Sequence, residues 1–299
     1  MGNTPSTSGT ESASTAAAAR PPRYGNGAAT VLWGVFTTIN RPSPAALALL
    51  RSGDHEPLLR PHLVVVGDKH TFDGPWRELA REHQRLTYLS SEDQAVSNLT
   101  SAKLLKWSHF GRKNLGYLYA VWQGAQWVFD FDDVNVIQPP GSAGHTLYQS
   151  IVTGRIAAGS PVANAHAVDG GRNSEAMHLY NPYPDFLPTT LEGKRAFAWP
   201  RGFPLDHVND NRTFGRLRAG PPSTGVSAAM LEKVFIVQSL ADHAADVDAT
   251  YRMTRELPLS FERSAELALL PPGSFAPLNA QVAPTACLPS PVEGPPCAS

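Results

Sequence analysis

The sequence predicts an α/β fold built on a mostly parallel, Rossmann-like sheet with helices on both faces. Two observations carry this. Runs rich in β-branched and aromatic residues alternate with helical patterns from Thr30 onward, and the connections between them are short. Parallel strands need crossovers, and helices are the usual ones, so this alternation implies a parallel sheet.

The elements follow in order. "TVLWGVFTTI" reads as a strand, and "SPAALALLRS" as a short helix with Ser43 as N-cap and Pro44 at its first position. "HLVVVGD" is a second buried strand, "GPWRELAREH" a helix and "RLTYLS" a third strand. Ser91 and Gln94 stand at capping-box spacing for a further helical turn. Leu115, Leu118, Tyr119 and Trp122 recur at helical spacing, Gly124 stands where a helix C-terminal glycine belongs, and "QWVFDF" follows as a strand. Beyond Ile137 the chain is rich in Pro, Gly and Ala. There "NPYPDFLPTT" and "WPRGFPL" read as ordered irregular chain, while "EKVFIVQSLAD" and "VDATYRMTREL" read as two helices.

Composition sets bounds. Residues 1–28 are Ser, Thr, Ala, Gly and Pro with almost no large apolar side chain, and are expected to be a disordered arm. Residues 29–281 form the folded domain and 282–299 a Pro-rich tail. A formal net charge of -1 over 299 residues gives no basic face for a nucleic acid polymer. The two cysteines, Cys287 and Cys297, both fall in the tail, so no disulfide framework or thiolate zinc site of the usual spacing is expected. No run approaches the roughly 18 to 20 apolar residues that span a bilayer, and no signal-peptide pattern opens the chain, so a soluble protein is expected from the sequence as written. "MGNTPS" fits an N-myristoylation pattern at Gly2, whereas the sequons at Asn98 and Asn211 suit a lumenal protein. These two signals conflict.

The chemistry concentrates in "WVFDFDDVNVI". Asp130, Asp132 and Asp133 repel one another unless something positive sits among them, and a divalent cation with oxygen ligands is an economical neutraliser. Asp130 and Asp132 point to the same side if the strand persists. A hard-oxygen site of this kind suits Mn²⁺ or Mg²⁺ and leaves positions for a substrate diphosphate. The plainer alternative is that the acids cap the next turn in water. Their place at the carboxyl end of a sheet strand, where open α/β sheets bind ligands, favours metal binding.

Other candidates remain two-sided. Arg112 and Lys113 fall in the first turn of the helix before that strand, where positive charge opposes the helix dipole, so they are either anion ligands for a diphosphate or solvated cations. Thr37, Thr38 and Asp68 sit at the same sheet edge as contacts for a nucleoside base or ribose, or as turn formers. Asp246 and Asp248 are N-cap and first-turn acids, or catalytic ones. His145, His166, His178 and His207 show no ligand spacing and read as structural or surface groups.

Several blocks together resemble a known family, the STELLO-like glycosyltransferases: "GRKNLGYLYAVWQGAQWVFDFDDVN", "NPYPDF", "WPRGFPL", "QSLADHAADVDATYRMTR" and "LPPGSFAPLNAQ", with fainter similarity in "WGVFTTIN" and "HLVVVGDKHT". The resemblance covers roughly 30–281. It implies a GT-A-type fold, a nucleotide-sugar donor held through a divalent cation at Asp130, Asp132 and Asp133 with Asn135 matching, and a glycan, protein or other acceptor. It also implies a Golgi setting with membrane-protein partners. The chain departs from the family at Val134, where a further acid is usual, and past Gln281, where members continue into a longer apolar and helical region. The C-terminal part of the fold is therefore expected to be incomplete. An alternative function is a catalytically silent scaffold that keeps the fold and binds a partner.

Overall fold

Leu32–Thr38 forms β1, His62–Gly67 β2, Leu86–Leu89 β3 and Trp127–Asp130 β4, at the four places where the sequence predicts strands. The structure is a computed structural model and describes residues 32–51, 60–97, 99–133, 165–167, 178–210, 213, 236–240, 246–261, 267–270, 274–277 and 280–284. The arm at 1–28, both sequons' asparagines, Val134, Asn135, His145 and the two cysteines lie outside the described residues. Between the strands run α1 (Pro44–Arg51), α2 (Asp73–Glu82), α3 (Ser91–Val96), α4 (Thr100–Leu104) and α5 (Lys113–Trp122).

The four strands are parallel and lie in the order β3-β2-β1-β4, with Val35 facing Val64 on one side and Asp130 on the other. Side-chain alternation divides their apolar residues between two faces. Phe36, Leu63 and Val65 pack with Leu49 and Leu50 of α1 and Trp76 of α2, whereas Trp33, Val35, Val64 and Val66 pack with Ala120 of α5. The sheet is thus buried on both faces, as a Rossmann-like α/β fold requires. α5 lies very close to it. A Cβ on Gly116 would stand 2.5 Å from Val35 Cγ1 and 2.9 Å from Val66 Cγ2, so only glycine admits this approach. Gly124, at φ +90°, ends the helix in the left-handed conformation its position in the sequence predicts.

The sheet continues by two antiparallel strands, Ala280–Pro284 beside β4 and Val237–Ser239 beyond it. This corrects the reading of "EKVFIVQSLAD" as helical. "FIVQS" is a short β-branched run whose periodicity cannot distinguish the two states, and the open edge beyond β4 selects the strand. Ala280–Pro284 also runs across the 281/282 boundary. The capping box falls one residue earlier than predicted, with Ser90 and Asp93 exchanging side-chain and backbone bonds. Gln94 instead turns inward and donates to the Gly67 and Leu89 carbonyls.

A second apolar cluster gathers Tyr183, Trp199, Phe203, Val247, Tyr251, Leu259 and Phe261. The irregular segments "NPYPDF" and "WPRGFPL" are ordered here by side-chain bonds to backbone. Asn181 Nδ2 donates to the Ala198 carbonyl, and the Tyr183 hydroxyl to that of Asp246. The helix predicted in "VDATYRMTREL" is present as Ala249–Thr254. Among the described residues no helix is long and apolar enough to cross a membrane.

Candidate functional site

β1 has β2 and β3 on one side and β4 on the other, so sheet growth reverses at the β1/β4 boundary. At such a reversal the connections leave in opposite directions and a crevice opens at the carboxyl ends of the strands. Thr37 and Thr38 end β1, Asp68 follows β2, and Asp130 ends β4, so the tertiary fold brings these four candidates to one edge.

The three clustered acids do not point to one place. Asp130 and Asp132 turn toward α5, where Lys113 Nζ stands 2.7 Å from Asp130 Oδ1, 3.0 Å from Asp132 Oδ1 and 3.0 Å from the Phe131 carbonyl. Their expected shared direction is observed, and the positive group between them is an ammonium. Tyr117, one turn along α5, adds a hydroxyl bond to Asp130. Burial pushes the Asp130 carboxyl above the usual carboxylate range, Asp132's charge adds to this, and Lys113 and Tyr117 oppose it. The same burial and the neighbouring Asp130 raise the Tyr117 phenol far above its ordinary value. Asp133 turns the other way and accepts from Thr38 Oγ1 at 2.6 Å and Asn40 Nδ2 at 3.0 Å. Among the described residues no three His, Cys, Asp or Glu side chains converge as a ready-made metal cage.

Arg112 is not a solvated cation. It is 1% exposed, and its guanidinium lies 3.5 Å from the Trp107 ring. Its Nε donates to Gln94 Oε1 at 2.7 Å and its Nη1 to the Leu105 carbonyl at 2.8 Å. Nη2 is buried with no hydrogen-bond partner. The arginine therefore ties α3 and α4 to the start of α5. That is the physical reason a cation stands where the helix dipole disfavours it: fixed carbonyl dipoles and an aromatic face stabilise the charge locally.

A cavity of ≈ 330 Å³ opens at this edge, lined by residues that include Thr37, Thr38, Asp68, His109, Arg112 and Asp133. Its volume lies within the range of small-molecule sites. Asp68 is anchored by the backbone N-H groups of Lys69 and Ser108, at 2.7 and 2.8 Å. Ser108 holds its bond at φ 53°, a conformation that costs a non-glycine residue energy and recurs at functional sites. His109 Nδ1 accepts from the Gly111 N-H at 2.9 Å, which directs the ring's own N-H to Nε2. That ring stacks on Phe110, itself 78% exposed, with centroids 4.5 Å apart.

Asp246 and Asp248 separate in role. Asp248 caps the helix Ala249–Thr254 through Tyr251 N-H and accepts from Trp199 Nε1 at 2.6 Å. It is a structural group, as its capping position implies. Asp246 pairs with Arg201 at 3.0 Å. Burial raises its carboxyl above the usual range, Arg201 opposes this, and the charge of Asp132 adds to the rise, so the two carboxylates share one region. His207 lies 3.6 Å from Asp210, while His166 and His178 fall in the short strands Ala165–Ala167 and His178–Leu179.

Asn40, Tyr117, Ser108, His109, Phe110 and Arg201 were not singled out from the sequence. The first two had a local signal. Asn40 closes "WGVFTTIN", and Tyr117 lies four residues after Lys113, on the same helix face. Arg201 had none, because its partner is remote in sequence.

No protein-family model matches the chain. Two proteins of Arabidopsis thaliana are similar to it, "Probable glycosyltransferase STELLO2" at 28% identity and "Probable glycosyltransferase STELLO1" at 27%, each over 197 residues. Each alignment covers 64% of this chain and 23% of the relative, so the chain spans about a quarter of the curated relatives it matches. The resemblance to STELLO-like glycosyltransferases is thus borne out over 64% of the chain.

Proposed function

We propose that this chain is a metal-dependent, GT-A-type glycosyltransferase that binds a nucleotide-sugar donor and transfers its sugar to a glycan, protein or other acceptor. The observation that carries the reading is the convergence of Thr38, Asp68 and Asp133 on one cavity at the sheet edge where the strand order reverses, the same edge at which Asp130 ends β4. The glycosyltransferase names of the two relatives support it.

A divalent cation, Mn²⁺ or Mg²⁺, fits the donors present. Asp132, 39% exposed, offers hard carboxylate oxygens, and such ions bind through one or two carboxylates plus phosphates and water, while Asp133 is turned away toward Thr38 and Asn40. When bound, the ion would neutralise charge developing on the departing diphosphate. Thr38 and Asn40 orient Asp133. Asp68 accepts an N-H of the base, the His109 and Phe110 rings supply a stacking face, and Lys113 donates to diphosphate oxygens. Asp246 receives the acceptor hydroxyl proton as the bond from that oxygen to the sugar forms and the bond to the diphosphate breaks. A Golgi setting with membrane-protein partners belongs to the same proposal.

A silent scaffold is the second reading, and one observation favours it: Lys113 already neutralises Asp130 and Asp132. Calorimetry with UDP and with GDP, each with and without Mn²⁺, separates the two. The enzyme reading expects metal-dependent nucleotide binding that is lost in Asp132→Ala. Absence of binding to either nucleotide favours the scaffold, and equal affinity in Asp132→Ala overturns the metal assignment.

A further inference from the structure

The Lys113 ammonium carries three N-H donors and has three acceptors within 3.0 Å, the Asp130 and Asp132 carboxylates and the Phe131 carbonyl. Its side chain is 13% exposed, so water contributes little to holding it. The two carboxylates are not equivalent. Asp130 is 19% exposed and is also bonded by Tyr117, which makes it the fixed anchor of the ammonium. Asp132 is twice as exposed, at 39%, which makes it the carboxylate able to exchange partners.

We propose that Lys113 is a tethered competitor for the metal: its ammonium holds Asp132 until a nucleoside diphosphate draws it away, so that metal and diphosphate bind together and poorly alone. The inference rests on the donor-binding reading above. A divalent ion arriving alone at Asp132 meets a positive charge already seated there and offers that charge no acceptor in exchange. A diphosphate supplies acceptor oxygens for the ammonium and ligands for the ion in the same event. The four-carbon lysine stem lets a compact charge move between the two sets of oxygens without displacing α5. Lys113 is thus a positioning residue whose effect is a coupling between two ligands, and such coupling is reciprocal.

The test is calorimetric titration of the full chain with Mn²⁺ alone, UDP alone, and Mn²⁺ at saturating UDP, for wild type, Lys113→Gln and Lys113→Arg. Lys113→Gln is expected to bind Mn²⁺ alone about tenfold more tightly, the scale of one nearby unit charge in a partly solvated site. The factor by which UDP tightens Mn²⁺ binding is expected to shrink correspondingly. Lys113→Arg keeps the charge and is expected to bind Mn²⁺ alone as wild type does. A structural role would not produce this pattern, since a loosened site does not gain affinity. If wild type takes up Mn²⁺ with UDP while Lys113→Gln gains nothing for Mn²⁺ alone, the competitor role is overturned and the donor reading stands. A similar gain in Lys113→Arg also overturns it. If no form binds Mn²⁺ or UDP in any combination, both fall.

Discussion

Replacing Arg112 with Met removes a cation whose partners stay in place. Gln94 Oε1 loses its 2.7 Å bond and the Leu105 carbonyl its 2.8 Å bond, both at a buried guanidinium. An acceptor left unpaired in a buried site costs about 1–3 kcal/mol. Loss of the desolvated stack on Trp107 costs about 2 kcal/mol more. Against this, Met needs no desolvation and no longer buries the partnerless Nη2, which returns on the order of 2 kcal/mol. The net expectation is a loss of about 3 kcal/mol, near the lower end of what breaking one side of a buried ionic network costs. Equilibrium unfolding in urea reads it directly. With an m-value of roughly 2 kcal/mol/M, the midpoint falls by about 1.5 M. Trp107 fluorescence should also change in the folded state, and a double-mutant cycle with Trp107→Leu isolates the stacking contribution. A midpoint shift below about 0.5 M, equivalent to about 1 kcal/mol, refutes the assignment of Arg112 as the strut joining α3, α4 and α5.

Three further outcomes follow from particular contacts. His62 is buried against Trp33 and beside Arg85, with burial the larger influence, and its ring is held down to about 4 from 6.5. Its neutral form is therefore the folded one. Its contribution is fully present above pH 6.5 and is lost as pH falls toward 4, about 3 kcal/mol in all, and a His62→Gln protein should lack that segment of the stability-pH curve. Gly116→Ala forces α5 away from Val35 and Val66 and should destabilise by about 1–3 kcal/mol in thermal or urea unfolding; a neutral result would contradict the close approach of helix and sheet. Asp248→Ala should cost about 1–2 kcal/mol through the lost cap and leave Mn²⁺-dependent UDP binding unchanged. Asp246→Asn should instead suppress sugar transfer with little change in melting, so equal behaviour of the two variants would remove the distinction between them.

The central sheet was legible because its evidence is local. "HLVVVG" must be buried on both faces, Pro44 and Gly124 punctuate their helices by their own backbone preferences, and Leu115 to Trp122 repeat at helical spacing. Each signal is complete within a few residues. The carboxyl edge of the sheet was legible as well, since parallel strands joined by crossovers all end there, and with it the neighbourhood of Thr38, Asp68 and Asp130. The short runs failed where local evidence is ambiguous, as at Val237–Ser239, where the open edge of the sheet chose the strand.

What each charged group touches was decided only by tertiary structure. Lys113 and Arg112 are adjacent in sequence and look alike there. Rotation around the start of α5 sends one to the acids of β4 and the other beneath Trp107, and this depends on how closely Gly116 lets the helix approach the sheet. Likewise Asp246 and Asp248 are two residues apart, yet one caps a helix and the other faces Arg201 and the charge of Asp132. Period and composition report burial and direction along the chain. The partner of an ion depends on which remote elements pack beside it, because electrostatic energy is set by distances in space, and those exist only once the core has formed.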